Sequence, residues 1–177
     1  MNADEIFNES FEEWLRIEAD HIMSGVSERT LCARLAIHIQ LELLERGFSG
    51  YFVDVECNRM HDTDFKVILN DDQTEKRINA DLIAHGRAKL ACNDNLIAIE
   101  MKKAYRDDAK KDEDRLRLQS MTSPTQGAPQ FRDDCGKLKH VAGYLAGRYI
   151  EVDAETRTIS VEAYRNGELA GTESFTI

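Results

Sequence analysis

Two short apolar runs, each carrying a carboxylate, constrain this chain more than any other feature of its 177 residues. Asn79 to Gly86 (NADLIAHG) and Asn95 to Lys102 (NLIAIEMK) are bounded by turn formers and read as buried strands. Asp81 lies in the first run, and Glu100 and Lys102 lie in the second. An ionised carboxylate in an apolar sheet is costly unless a cation or a tight set of hydrogen bonds meets it. The fold must therefore deliver a cation or a set of hydrogen bonds to this pair. On the strand period, Glu100 and Lys102 share a face with the small Ala98, while Ile97, Ile99 and Met101 point the other way into the core.

The flanking sequence predicts a mixed α/β sheet with helices against it. Glu5 to Met23 has a helical pattern among many carboxylates and closes at Ser24-Gly25, which predicts an acidic amphipathic helix on the rim. Ser27 can cap a second helix in which Leu31, Leu35, Ile39 and Leu43 recur every four residues until Gly47. Tyr51 to Asn58 alternates Val53, Val55 and Cys57 with Asp54 and Glu56, as a strand does. Residues 60–78 are polar and predict a loop or hairpin. Asp107 to Met121 predicts a largely exposed helix anchored by Leu116 and Leu118, and Val141 to Val152 a long strand. Asn166-Gly167 is a two-residue hairpin signal joining Thr158 to Tyr164 with Leu169 to Phe175. The expectation is one domain over 1–177: an N-terminal acidic helix (1–25), a core (27–153) and a C-terminal hairpin (157–177).

Charge narrows the partners. The net charge of −10 disfavours non-specific adhesion to nucleic acid or to an anionic membrane. It is unevenly spread: residues 1–86 hold 8 basic and 18 acidic groups, whereas residues 87–148 hold 13 and 9. The middle is thus where an anionic partner would sit. Cys32, Cys57, Cys92 and Cys135 show no C-x-x-C pair or His spacing of a structural zinc site, and read as buried reduced thiols; no role is assigned to the five His residues. The polar, acidic N-terminus lacks the pattern of a signal peptide, and no apolar stretch approaches the about 18 residues of a membrane span. A cytoplasmic protein is expected.

A divalent cation would satisfy the carboxylate pair. Mg²⁺ prefers oxygen donors and commonly takes one or two carboxylates, leaving the remaining positions to water and phosphate. Asp81 and Glu100 supply that pair, the Met101 carbonyl is a further candidate ligand, and Lys102 is placed to orient or help deprotonate an attacking water. Glu28, in the first turn of the second helix, extends its apolar stripe and faces the sheet; it either completes the metal site or complements the helix dipole. Glu56 is a candidate for the metal side of the sheet or for a salt bridge, and Arg59 for a phosphate clamp. Lys103 and Arg106 are candidate substrate contacts, and with Lys110, Lys111, Arg115 and Arg117 they either track a nucleic-acid backbone or form a solvated helix face. The acid-x-Lys pattern also occurs at Asp64-Phe65-Lys66 and Asp108-Ala109-Lys110, but only residues 100–102 end a buried strand beside a second carboxylate.

From Ser27 to about Asp153 the sequence resembles the PD-(D/E)xK nuclease superfamily. The resemblance is carried by Glu28, YFVDVECNR, the Asp of NADLIAHG, the E-M-K of NLIAIEMKK and the helix that follows. More narrowly it resembles small bacterial and phage-borne members with S-E-R on the first helix and V-D-x-E-x-N-R on the first strand. Asn79-Ala80-Asp81 replaces the nominal Pro-Asp without removing a ligand. The resemblance implies a restriction-endonuclease-like αβββαβ core and Mg²⁺-dependent phosphodiester hydrolysis, with Mn²⁺ able to substitute. Asp81, Glu100 and Lys102 would form the catalytic core, with Glu28 as the helix-borne acid. DNA is the expected substrate, in restriction, phage defence or repair, with a homodimer or partner protein supplying further contacts. The alternative is a nuclease-fold binding protein without chemistry, or an acidic mimic of DNA.

Overall fold

A computed structural model describes residues 2–57, 59–60, 64–65, 67–69, 75–77, 79–87, 89–90, 92–124 and 142–177. Helix α1 spans Ala3–Met23 and opens at Asn2, whose side chain accepts the Asp4 N–H. Helix α2 spans Glu28–Glu45; Ser27 caps it by accepting the Thr30 N–H at 3.1 Å, and Gly47, at φ +80°, ends it. Strand β1 (Phe52–Cys57) follows, then the short pairs β2 (Arg59–Met60) with β3 (Asp64–Phe65) and β4 (Val67–Leu69) with β5 (Glu75–Arg77). Strands β6 (Ala80–His85) and β7 (Asn95–Lys103), helix α3 (Asp108–Thr122), and strands β8 (Ala146–Asp153), β9 (Thr158–Arg165) and β10 (Glu168–Thr176) complete the chain.

The main sheet has six strands in the order β1-β6-β7-β8-β9-β10. All neighbours are antiparallel except β7 and β8, which run parallel with α3 between them in sequence. The β9–β10 turn places Asn166 at φ +55° and Gly167 at φ +82°, the left-handed pair a tight hairpin requires. Among the described residues, no helix is long and apolar enough to cross a membrane.

The sheet buries different chemistry on its two faces. On one, Leu31, Leu35, Ile39 and Leu43 of α2 and Phe7, Phe11 and Trp14 of α1 pack against Leu82, Ile97, Ile99 and Met101. Helix α1 is therefore part of the core rather than a rim element: its aromatic stripe is buried, with Trp14 fully so, and its carboxylates, apart from the buried Glu18, occupy the outer side. On the other face α3 covers Ala98, Ile83 and Tyr149 with Leu118 and Met121. The expectation of a largely exposed α3 anchored by Leu116 fails here. Leu116 is exposed, whereas Lys111 and Asp114 are buried, because the helix turns a charged stripe toward the charged strands. The long strand expected from Val141 begins only at Ala146; Ala142 to Leu145 approach it as irregular chain, and Val141 lies outside the described residues. Cysteine burial is also less general than expected: Cys32 is buried, Cys57 half-buried and Cys92 exposed, and Cys135 lies outside the described residues.

Gly147 sets how closely α3 approaches the sheet. A Cβ there would meet Thr122 Cγ2 at 2.8 Å and Tyr164 Cβ at 3.1 Å. Gly147→Ala is expected to cost about 1–3 kcal/mol, the usual penalty of overpacking, read as a lower urea midpoint with unchanged m value.

Candidate functional site

Strands β6 and β7 pair from His85↔Asn95 to Leu82↔Ile99, and the pairing stops one position before Asp81 and Glu100 would face each other. There the Asp81 carboxylate replaces a main-chain partner: its Oδ2 accepts the Met101 N–H at 2.9 Å. Glu100 lies on the α3 side of β7 and is fully buried. Oxygens of Asp81, Glu100 and Asp114, the last from the inner face of α3, all come within 4.8 Å of one another.

Two cations from the chain thread this cluster. Lys102 Nζ is 2.6 Å from Asp114 Oδ2 and 3.5 Å from Asp81 Oδ2, and it donates to the Met101 carbonyl at 3.3 Å. Arg117 Nη1 is 2.8 Å from Glu100 Oε1, and its Nη2 is 3.0 Å from Asp114 Oδ1. The approaches to Glu100 Oε1 and Asp114 Oδ2 are close but out of hydrogen-bond alignment. Both Glu100 oxygens and Asp114 Oδ2 are consequently buried without a hydrogen-bond partner. Glu100 Oε1 and Asp114 Oδ2 are thus met by charge alone, and Glu100 Oε2 has no hydrogen-bond partner; buried oxygens left short of hydrogen bonds in this way are costly and are what an oxygen-seeking divalent cation would satisfy.

Burial, reinforced by the charge of Asp81, pushes the Glu100 carboxyl well above the ordinary carboxylate range. Burial also raises Asp114, against the opposing pull of Lys102. For Lys102, burial works to lower the value, but Asp81, Asp114 and Glu100 outweigh it and the net shift is upward. The three carboxylates therefore hold the lysine as an ammonium in this arrangement.

The remaining predicted residues are placed as follows. Glu28 lies at the end of β7 outside the carboxylate trio: its Oε1 accepts the Lys103 N–H at 3.1 Å and Arg106 Nε at 2.9 Å. Lys103 is buried and donates to the Gly25 carbonyl at 2.7 Å, whereas Arg106 is half exposed. Glu56 pairs with Arg29 of α2. Arg59 falls in β2, and its side chain lies outside the described residues. Of the basic string after Lys102, Lys111 is 3.2 Å from Glu151, Arg115 is held by Glu162, and Arg117 faces Glu100. Asp114, and Arg117 in this inward role, were not singled out from sequence. The signal for Asp114 is spacing: Lys111, Asp114, Leu118 and Met121 step by 3, 4 and 3, one helix stripe mixing charges with the two buried anchors.

The raised Glu100 value sets a sign for pH dependence. A carboxyl whose folded value lies above its unfolded one contributes stability that is full below the ordinary carboxylate range and is lost as pH rises through the folded value. Metal-free Glu100→Gln is expected to melt above the native protein at neutral pH, with a gap that widens from acidic to alkaline pH. Parallel melting curves for the two proteins in chelator would contradict the assignment. Neither a protein-family model, nor a curated protein, nor a solved structure matches this chain, so function is argued from the geometry of this site.

Proposed function

We propose that the chain is a divalent-metal-dependent phosphodiesterase acting on nucleic acid, with DNA as the substrate class. The observation that carries this reading is the fully buried Glu100, both of whose oxygens lack a hydrogen-bond partner while Asp81 and Asp114 crowd it within 4.8 Å. The order of α2, β1, β6, β7, α3 and β8 supports a restriction-endonuclease-like core, as does a sheet in which these four strands are adjacent and only β7 and β8 are parallel.

Asp81, Glu100 and Asp114 would hold the ion. When bound, Mg²⁺ supplies Lewis-acid polarisation and a more acidic water. The chain's own residues do the rest. Asp81 is the most open member, its side chain 26% exposed against 6% for Asp114, so substrate approaches from the β6 side. Lys102, 15% exposed, keeps its proton on Nζ and is a fixed cation for the negative charge that builds on a phosphodiester. Helix α3 shields the far side from water and holds Asp114 in place. Glu28 orients the end of β7 through Lys103 and Arg106.

A second reading is favoured by one observation: Arg117 and Lys102 already neutralise much of the cluster, as they would in a non-catalytic protein of the same fold that binds a partner or imitates DNA. Plasmid, linear duplex and single-stranded DNA, and RNA, incubated with Mg²⁺ or Mn²⁺ separate the two. Cleavage by the native chain should fall by about 10²-fold or more in Asp81→Asn and Lys102→Ala, the range for removing a group that stabilises developing charge, and persist in Arg16→Gln. Absence of cleavage with every substrate, in protein shown to bind Mn²⁺, would overturn the catalytic reading in favour of the second.

A further inference from the structure

Four residues along β6 from Asp81, about 13 Å at 3.3 Å per residue, the same sheet face carries a second cluster of different chemistry. One ligand atom each from Asp54, Cys57 and His85 lies within 4.8 Å of the others. Asp54 faces Ile83 in the β1–β6 register, and its Oδ2 is 2.9 Å from His85 Nε2. By strict alternation Cys57 would follow Val53 and Val55 onto the α2 face. Glu56 prevents this: it adopts φ +52°, uncommon for a non-glycine residue, with its side chain drawn to Arg29 of α2. Cys57 is thereby turned to the α3 side, where it packs against the cluster containing Tyr144 while Val53 and Val55 pack on the other core.

A separate observation marks this place as built for a ligand. The Tyr144 hydroxyl belongs to a side chain only 2% exposed and has no hydrogen-bond partner. Tyr144 belongs to the same buried cluster on which Cys57 packs, which sets the phenol ring on the side of the three ligands. A buried hydroxyl without a partner is rare and calls for an explanation such as an ion or its water.

We propose that Asp54, Cys57 and His85 form a binding site for a divalent transition ion of the zinc class, tying the edge strand β1 to β6 on the side where Tyr144 is buried. One thiolate, one imidazole and one carboxylate suit Zn²⁺ or Co²⁺ and not Mg²⁺. Bonds of about 2.0–2.3 Å place tetrahedral ligand atoms about 3.5 Å apart, so the cluster needs only small adjustments. Binding takes the proton from the Cys57 thiol and releases it to buffer. Arg87 opposes the ion, since its Nε is 3.1 Å from Asp54 Oδ2; it is nearly half exposed and rests on the Phe52 ring, so it can yield.

The test uses the full chain, stripped with chelator and carrying Asp81→Asn and Glu100→Gln, so that its result is independent of the carboxylate site. Titration with Co²⁺ should give a thiolate-to-cobalt charge-transfer band at one ion per chain. Cys57→Ser should abolish the band and Cys92→Ser should keep it. Calorimetric Zn²⁺ affinity should drop about 10–100-fold in Tyr144→Phe, the range for losing a group behind the ligands, drop further in Cys57→Ser, and tighten in Arg87→Gln. No band in the double variant, a band surviving Cys57→Ser, or Arg87→Gln binding more weakly than its parent would overturn the proposal.

Discussion

Glu100 stands at the middle of the central strand with no solvent exposure, and the packing of α3 follows from what is needed to keep it there. A lone carboxylate in that position would unfold the strand or remain protonated. The chain meets the demand with Arg117, sent in from a helix whose inner stripe has only two large apolar anchors, Leu118 and Met121. Asp114 and Lys102 then link Arg117 to Asp81, so that three carboxylates and two cations form one connected network between sheet and helix. Removing either cation, Lys102 or Arg117, would leave a carboxylate buried without its partner, which is why such networks are costly to break even where they add little net stability. The close approach permitted by Gly147 is part of the same device, since a helix held farther away could not bring Asp114 within reach.

Different parts of this arrangement were legible in the sequence for different reasons. The four-residue recurrence of Leu31, Leu35, Ile39 and Leu43 gave α2 and its buried face, and the two apolar runs gave β6 and β7, because burial on both faces of a strand leaves a plain compositional trace. Asn166-Gly167 gave the last hairpin because few residues tolerate two left-handed positions in succession. Asp81, Glu100 and Lys102 stood out as charges in an apolar setting, and the fold brings all three together.

Helix α3 was misread for the converse reason. Charges in a helix ordinarily mark the solvent side, and nothing local distinguishes Asp114 from Asp112 except its phase relative to Leu118. Helix α1 was placed too far out because its many carboxylates masked a narrow aromatic stripe. Cys57 and His85 could not be joined at all: they meet across a strand pair, after a left-handed residue at Glu56 that no pattern of apolar residues encodes.

The central claim is that the network around Glu100 is a cation site in which Lys102 and Arg117 stand beside the ion's ligands, and not a structural ion-pair cluster. Crystals soaked in Mn²⁺ and measured at the manganese edge test this most directly. The account predicts one anomalous peak about 2.1 Å from oxygens of Asp81 and Glu100, with Arg117 withdrawn from Glu100. No peak there at saturating Mn²⁺, with Arg117 still against Glu100, would contradict it.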